Sequence, residues 1–256
     1  MTAINTNVGA LNARLYTLSA NNAQEKAMER LSSGKRVNSA ADDAAGLAVA
    51  GKMESQLRGI NMAIRNNQDG VGLIQTAEAG INEVRNMVLR IRELAVQMAN
   101  GIYEDSPDRA NAQLEVEALQ AQVNLIAGYT RFNDVSLLNG SFSAVDIQAG
   151  NTTSETIALT ITTMTTTGLG FDSVSVSTQS NAQAAITTMD TALTDIATEQ
   201  ATLGSYTNRL NYSVAILSRS SVMTEQALGR IMDADVASES TALSKAQSLN
   251  QAATAM

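Results

Sequence analysis

The chain has no cysteine, no histidine and no tryptophan among its 256 residues, and a single proline. Without cysteine there are no disulfides and no thiolate metal sites. Without histidine the usual general base and the commonest zinc ligand are both missing, so Ser–His–Asp and Cys–His catalysis is excluded. Aromatic residues make up 3% of the sequence, with three Phe. Packing must therefore rely on Ala, Leu, Ile, Val and Met, which suits helical bundles better than compact enzymes. A proline inside a helix breaks its hydrogen-bond ladder, so having only one permits long uninterrupted helices.

Long apolar runs are missing too. No segment approaches the ~20 residues needed to cross a bilayer, and the opening MTAINTNVGALNARL lacks the basic and then apolar stretches of a cleavable signal. No membrane partner is expected, and the chain is either cytoplasmic or exported by a route that reads no cleavable signal. The net charge of −8 argues against nucleic acid as a partner. Lys and Arg are absent from Phe132 to Asn208, while Asp134, Asp146, Glu155, Asp172, Asp190, Asp195 and Glu199 all lie there. The expectation is a solvated acidic face. The clustered Asx spacing and closing Glu of a calcium loop are not found. Neither a metal nor a cofactor is expected.

What the sequence does have is periodicity. From Ala182 through Ile186, Met189, Leu193, Ile196, Gln200, Leu203, Thr207 and Leu210 to Ile231, apolar or uncharged residues recur alternately four and three apart. One helix of about 50 residues, roughly 75 Å long, fits this pattern, and the 3.5-residue repeat implies supercoiling against partner helices. A shorter stripe of the same kind, Ile4, Val8, Leu11, Leu15 and Leu18, opens the chain in a helix expected to stop at Ser32-Ser33-Gly34. A second long stripe runs from Leu57 through Ile60, Ile64, Val71, Ile74, Ile81, Val84, Val88, Ile91 and Ala95 to Met98. It contains Gly59, Gly70, Gly72 and Gly80, each unfavourable in a helix by about 1 kcal/mol, for which close approach of a neighbouring helix would be one compensation.

Ser106-Pro107-Asp108 reads as a helix start, so a third helix is expected from about Pro107 to Ile126. Beyond Gly128 the period becomes alternating, and Asn139-Gly140 between apolar residues predicts a type I′ hairpin within two or three short antiparallel strands. Thr162 to Ser180, rich in Thr, Ser and Gly, is expected to be a surface excursion with little to bury. The fold class is mainly α, an elongated antiparallel helical bundle or coiled coil with a small β-hairpin region. Terminal helices beyond its body would be marginal alone and need partners.

Several long blocks, in order, resemble the bacterial flagellins: AINTNVGALNARL at the start, RLSSGKRVNSAADDAAGLAVAGKM from Arg30 to Met53, RIRELAVQMANG from Arg90, RFNDVSLLNG from Arg131, and the closing SRSSVMTEQALGRIMDADVASESTALSKAQSLNQAA. The resemblance implies a filament subunit of the bacterial flagellum that forms a helical homo-polymer for swimming and is not an enzyme. It is exported unfolded through the flagellar type III apparatus, bound by an export chaperone, and added under a filament cap above the hook–filament junction. Its location would be extracellular. The implied division is 1–42, an inner-core helix and spoke; 43–180, the long helix, second helix, hairpin region and excursion; 181–235, the long C-terminal helix; and 236–256, the C-terminal inner-core helix. Family members continue several helical turns past the position of Ala253, whereas this sequence ends at Met256.

Inner-core contacts between subunits would fall to Ile4, Val8, Leu11, Leu15, Leu18, Leu243, Ala246 and Leu249. Recognition by a vertebrate innate receptor would involve Arg90, Leu94 and Glu115, although Leu89 replaces the glutamine often found before that arginine. A hook–filament junction protein and a non-flagellar coiled-coil scaffold are the alternatives. The protease inserts carried by some family members need a histidine-containing metal motif, which cannot be built here.

Overall fold

The computed structural model describes residues 7–255. Among them are five α-helices: α1 (Val8–Ser33), α2 (Ala44–Met98), α3 (Ala110–Tyr129), α4 (Gln179–Met232) and α5 (Val236–Ala255). Four short strands, β1 (Arg131–Phe132), β2 (Val135–Ser136), β3 (Val145–Gln148) and β4 (Thr156–Leu159), form two antiparallel two-stranded sheets. The fold is mainly α, as the periodicity predicts. Asn7 caps α1 by accepting the Ala10 N–H at 3.1 Å, and Gly34 ends it with φ 69°. That left-handed conformation suits a residue without Cβ.

The chain divides into two compact units, one of residues 1–59 with 219–256 and one of residues 60–218. All four lysines, Lys26, Lys35, Lys52 and Lys245, belong to the first.

The second unit holds the large core. Its part of α2 buries positions 60, 63, 67, 70, 74, 77, 81, 84, 88, 91, 95 and 98, alternating three and four apart without a break. The apolar stripe read from sequence follows this seam but misses Ala63, Asn67, Gly70 and Ala77, whose small or polar side chains hide the period. On α4, every seventh residue is fully buried: Ala182, Met189, Ile196, Leu203 and Leu210. Between them the seam turns through Ala185, Ala192 and Glu199, leaving Ile186, Leu193 and Gln200 half-buried at its edge. Alanine at two of these three positions leaves room for the packing of the core, while Glu199 is buried through its hydrogen bonds to Thr162.

Two glycines of α2 serve the same end. A Cβ at Gly70 would lie 3.2 Å from Leu210 Cδ1, and one at Gly80 would lie 2.6 Å from Thr130 Oγ1 and 2.8 Å from Leu138 Cδ1. Close approach does offset their low helix propensity, but at Gly80 the neighbour is the segment after α3 and not a helix.

Four expectations need correction. The type I′ turn is not at Asn139-Gly140: it lies at Asn133-Asp134, with φ 48° and 63°, joining β1 to β2 through the Phe132↔Val135 pair. A two-residue turn of this type needs positive φ at both positions; Gly140 meets this at 88°, and Asn139 does not. The third helix starts later than Pro107 and ends later than Ile126. A five-residue π-turn, Asp105–Arg109, precedes α3, and Gly128 does not stop it.

The stretch from Thr162 to Ser180 is no loose excursion, because Met164, Thr166, Leu169, Phe171 and Val176 are buried in the core. Its irregular main chain would be costly to bury unpaired, and amides on α3 satisfy it. Gln120 Nε2 donates to Phe171 O at 2.8 Å, Gln113 Oε1 accepts from Val176 N at 2.7 Å, and Asn124 Oδ1 accepts from Thr166 N at 3.0 Å. The acidic face is likewise not wholly solvated. Glu199 is buried and accepts from Thr162 N at 3.2 Å and Thr162 Oγ1 at 2.8 Å, while Asp190 pairs with Arg92 at 2.6 Å.

Candidate assembly surface

In the first unit α1 packs antiparallel on α5, since Arg30 pairs with Glu239 at 2.9 Å while Gln24 accepts from Asn250 at 3.3 Å. Asn250 also donates to Asn21. The α1 side of this seam is Ala13, Thr17, Ala20, Gln24, Ala27 and Leu31, four and three apart, and the α5 side is Glu239, Leu243, Ala246, Asn250 and Ala253. Apart from Leu31 and Leu243, both sides are small or polar. The leucine stripe of α1 points elsewhere: Val8 is 61% exposed, Leu11 50%, Leu15 64% and Leu18 59%.

The inner-core expectation therefore divides by position. Val8, Leu11, Leu15, Leu18 and Leu249 are exposed apolar side chains, whereas Leu243 and Ala246 sit in the seam with α1 of the same chain. Ile4 lies outside the described residues. A groove of about 450 Å³ runs between the two helices, lined by Ala13, Tyr16, Ala20, Lys245, Ala246 and Leu249 among others.

The end of α1 is fastened to the break between α4 and α5. Lys35 and Asp233 form an antiparallel bridge, Arg36 N donates to Met232 O at 2.6 Å, Ala234 N donates to Gly34 O at 3.0 Å, and the Arg36 guanidinium donates to Ile231 O at 2.8 Å. The carbonyls that a helix end leaves unpaired thus gain main-chain and cationic partners. Asp42 holds the loop that follows: it pairs with Lys26 at 2.8 Å and accepts from Ser39 N at 3.1 Å and Ser39 Oγ at 3.0 Å. The Lys26 ammonium, and then the Ser39 donors, hold its carboxyl well below the usual carboxylate range.

Of the receptor-type residues, Arg90 and Glu115 meet on the surface of the second unit at 2.8 Å, with Glu93 also on Arg90 at 3.3 Å. The Glu115 carboxylate, and Glu93 after it, raise the Arg90 guanidinium pKa. Leu94 is not with them. At 4% exposure it faces the core, so of the three only Arg90 and Glu115 are exposed.

Arg109, which sequence reading passed over, joins α2 to α3. Its buried guanidinium donates to Met98 O at 2.9 Å, Asn100 O at 2.9 Å and Tyr103 O at 2.6 Å, and pairs with Asp105 at 2.8 Å. An arginine four residues after an aspartate was its only signal.

Long heptad helices, a closed core in one unit and an uncovered apolar stripe in the other are features of a helical structural protein. Comparison with known proteins gives the family. The profile of the bacterial flagellin N-terminal helical region matches residues 4–143, and that of the C-terminal helical region matches residues 186–256. The chain belongs to the bacterial flagellin family, whose members are structural subunits of the flagellar filament.

It is 40% identical to flagellin FlaB1 of Treponema pallidum, over 99% of this chain and 94% of that one. It is 38% identical to a flagellin of Halalkalibacterium halodurans, over 99% and 93% respectively. The crystal structure of Bacillus cereus flagellin superposes with a TM-score of 0.53 at 31% identity, over 59% of this chain and 88% of that one. A putative flagellar hook-associated protein of Vibrio parahaemolyticus shares the fold, with a TM-score of 0.62 at 13% identity, over 75% and 100%.

Proposed function

We propose that the chain builds the extracellular flagellar filament by packing the exposed apolar face of α1, together with Leu249 of α5, against neighbouring copies. The observation that carries this is the division of labour on α1. From Ala13 to Ala27 its own-chain seam is filled by Ala, Thr and Gln, and the exposed Val8–Leu18 stripe lies outside that seam and stays in water. Removing it from water on assembly is favourable by about 25 cal/mol per Å², which offsets the ordering of the terminal helices. In this reading residues 1–42 and 236–256 are the inner pieces of the polymer, and 43–180 with 181–235 form the shell around them.

Membership of the family supports a reading in which the chain passes through a sequence of steps. It leaves the cell unfolded through the flagellar export apparatus, guarded by an export chaperone, and adds under the filament cap beyond the hook–filament junction. The chain has no cysteine to cross-link on the way, and among the described residues no helix is long and apolar enough to cross a membrane. Recognition by a host innate receptor would use the exposed Arg90–Glu115 pair. Depolymerised Arg90→Ala protein should then fail to activate receptor-bearing cells, and full activation would end that part of the reading. A junction-protein role shares the fold, but near full-length identity of 38–40% to flagellins favours the filament subunit.

Seeded growth tests the central claim. Purified chain added to sheared filament seeds should elongate them, as seen by negative-stain electron microscopy, while Leu11→Asp protein with an unchanged circular dichroism spectrum should not. Filaments of ordinary length from Leu11→Asp would refute it.

A further inference from the structure

Asn139-Gly140 is not the hairpin turn, and its surroundings suit a different chemistry. Both residues are exposed, and among the described residues no hydrogen bond pins the main chain of either. The side-chain oxygen is nevertheless held: Asn139 Oδ1 accepts from Ser141 N at 3.0 Å and from Ser141 Oγ at 2.6 Å.

The sequence contains a built-in control, the second Asn-Gly pair at Asn100-Gly101. It too is exposed, and Asn100 Oδ1 accepts from Ile102 N at 3.3 Å. There, however, the main chain is clamped. Asn100 N donates to Gln97 O at 3.3 Å, and Asn100 O accepts from the buried Arg109 guanidinium at 2.9 Å and from Tyr103 N at 3.4 Å.

We propose that Asn139 is a site of spontaneous deamidation and that Arg109 protects Asn100 from the same reaction. The deprotonated Gly140 amide nitrogen attacks Asn139 Cγ. The new N–Cγ bond forms as the Cγ–Nδ2 bond breaks, and the amide group leaves as ammonia with a proton from solvent. Water then adds to the five-membered imide. Opening at the side-chain carbonyl leaves aspartate, and opening at the main-chain carbonyl leaves isoaspartate.

Glycine after the asparagine leaves the attacking nitrogen uncrowded, because it carries no Cβ. As the tetrahedral centre forms, charge builds on Oδ1, and the two Ser141 donors already point at that atom. Attack also requires rotation of the main chain between the two residues, which is free at Asn139 and opposed by three hydrogen bonds at Asn100. Each event adds one negative charge within the Phe132–Asn208 stretch, which has no cation of its own.

The test is to incubate the purified full-length chain at mildly alkaline pH and map its peptides by mass spectrometry, with enzymatic methyl transfer to score isoaspartate. Asn139 should convert about tenfold or more faster than Asn100. Ser141→Ala should slow conversion at Asn139 severalfold, and Arg109→Lys should speed it at Asn100 while leaving Asn139 unchanged. Conversion at Asn100 as fast as at Asn139, or at neither, would overturn the proposal. An unaltered Asn100 rate in Arg109→Lys protein would remove the protective role of the clamp.

Discussion

The two units use the same three-and-four spacing to opposite ends. In the unit of residues 60–218 the seam on α2 and the heptad positions of α4 disappear into a core with Phe171, Leu137, Leu138 and Met164. In the other unit the buried apolar residues are small: Ala20, Ala27, Val37, Ala50 and Ala246. Its large ones, Leu15 and Leu18 among them, face water. Identical periodicity thus gives a self-sufficient body in one place and an unfinished surface in the other. What separates them is which side chains occupy the seam that the chain closes on itself.

The sharpest way to break this contrast is to place the same charge in both units. Leu203→Asp buries an unpaired carboxylate in the closed core and should abolish the cooperative thermal transition followed by circular dichroism. Leu15→Asp should shift stability by only about 0.5 kcal/mol or less, yet stop filament growth. Equal effects on folding would erase the distinction.

Gly80→Ala comes next. The added methyl meets Thr130 and Leu138 at under 3 Å, so overpacking should cost about 1–3 kcal/mol by denaturant titration.

Asp42 probes the other unit through pH. Its folded-state pKa lies below the ordinary 3.8, so the stabilisation is complete above that value and fades as the pH falls through and beneath it. Asp42→Asn should lower the melting temperature of the first unit at neutral pH and flatten its dependence on acid. A melting curve identical to the parent at neutral pH would contradict the role given to Asp42.

The smallest effect is expected from Asp146→Asn, Glu155→Gln and Asp172→Asn combined, three exposed carboxylates. Filaments of this variant should bundle more readily by light scattering, and only at low ionic strength. At 0.1 M salt, charges more than about 10 Å apart are already screened.

The helices were legible in the sequence because their apolar residues repeat for many turns and Gly34 marks the end of the first, whereas the Asn7 cap at its start was not read. The turn chemistry was less so. Asn139-Gly140 is the stronger motif on paper, but Leu137, Leu138 and Phe142 around it are all drawn into the core, and this fixes a different path for the chain. The packing of Thr162–Ser180 left little trace, since a Thr-rich segment looks solvated until Gln113, Gln120 and Asn124 on a distant helix supply partners for its main chain.

On the assembly surface, the stripe Val8–Leu18 could be read directly. Its separation from the Ala13–Leu31 seam could not, because one helix carries both patterns and only the partner helix shows which one the chain uses for itself. Leu94 illustrates the converse: it belongs to a recognisable motif, yet the heptad turns it inward.

The confinement of lysine to one unit has a practical corollary. An endoprotease that cuts after that residue has no cleavage site between Lys52 and Lys245, so digestion trims the ends of the polypeptide and releases 53–245 as one fragment. Amine-reactive dyes obey the same partition, colouring the region that holds the unfinished surface and leaving the self-sufficient body dark.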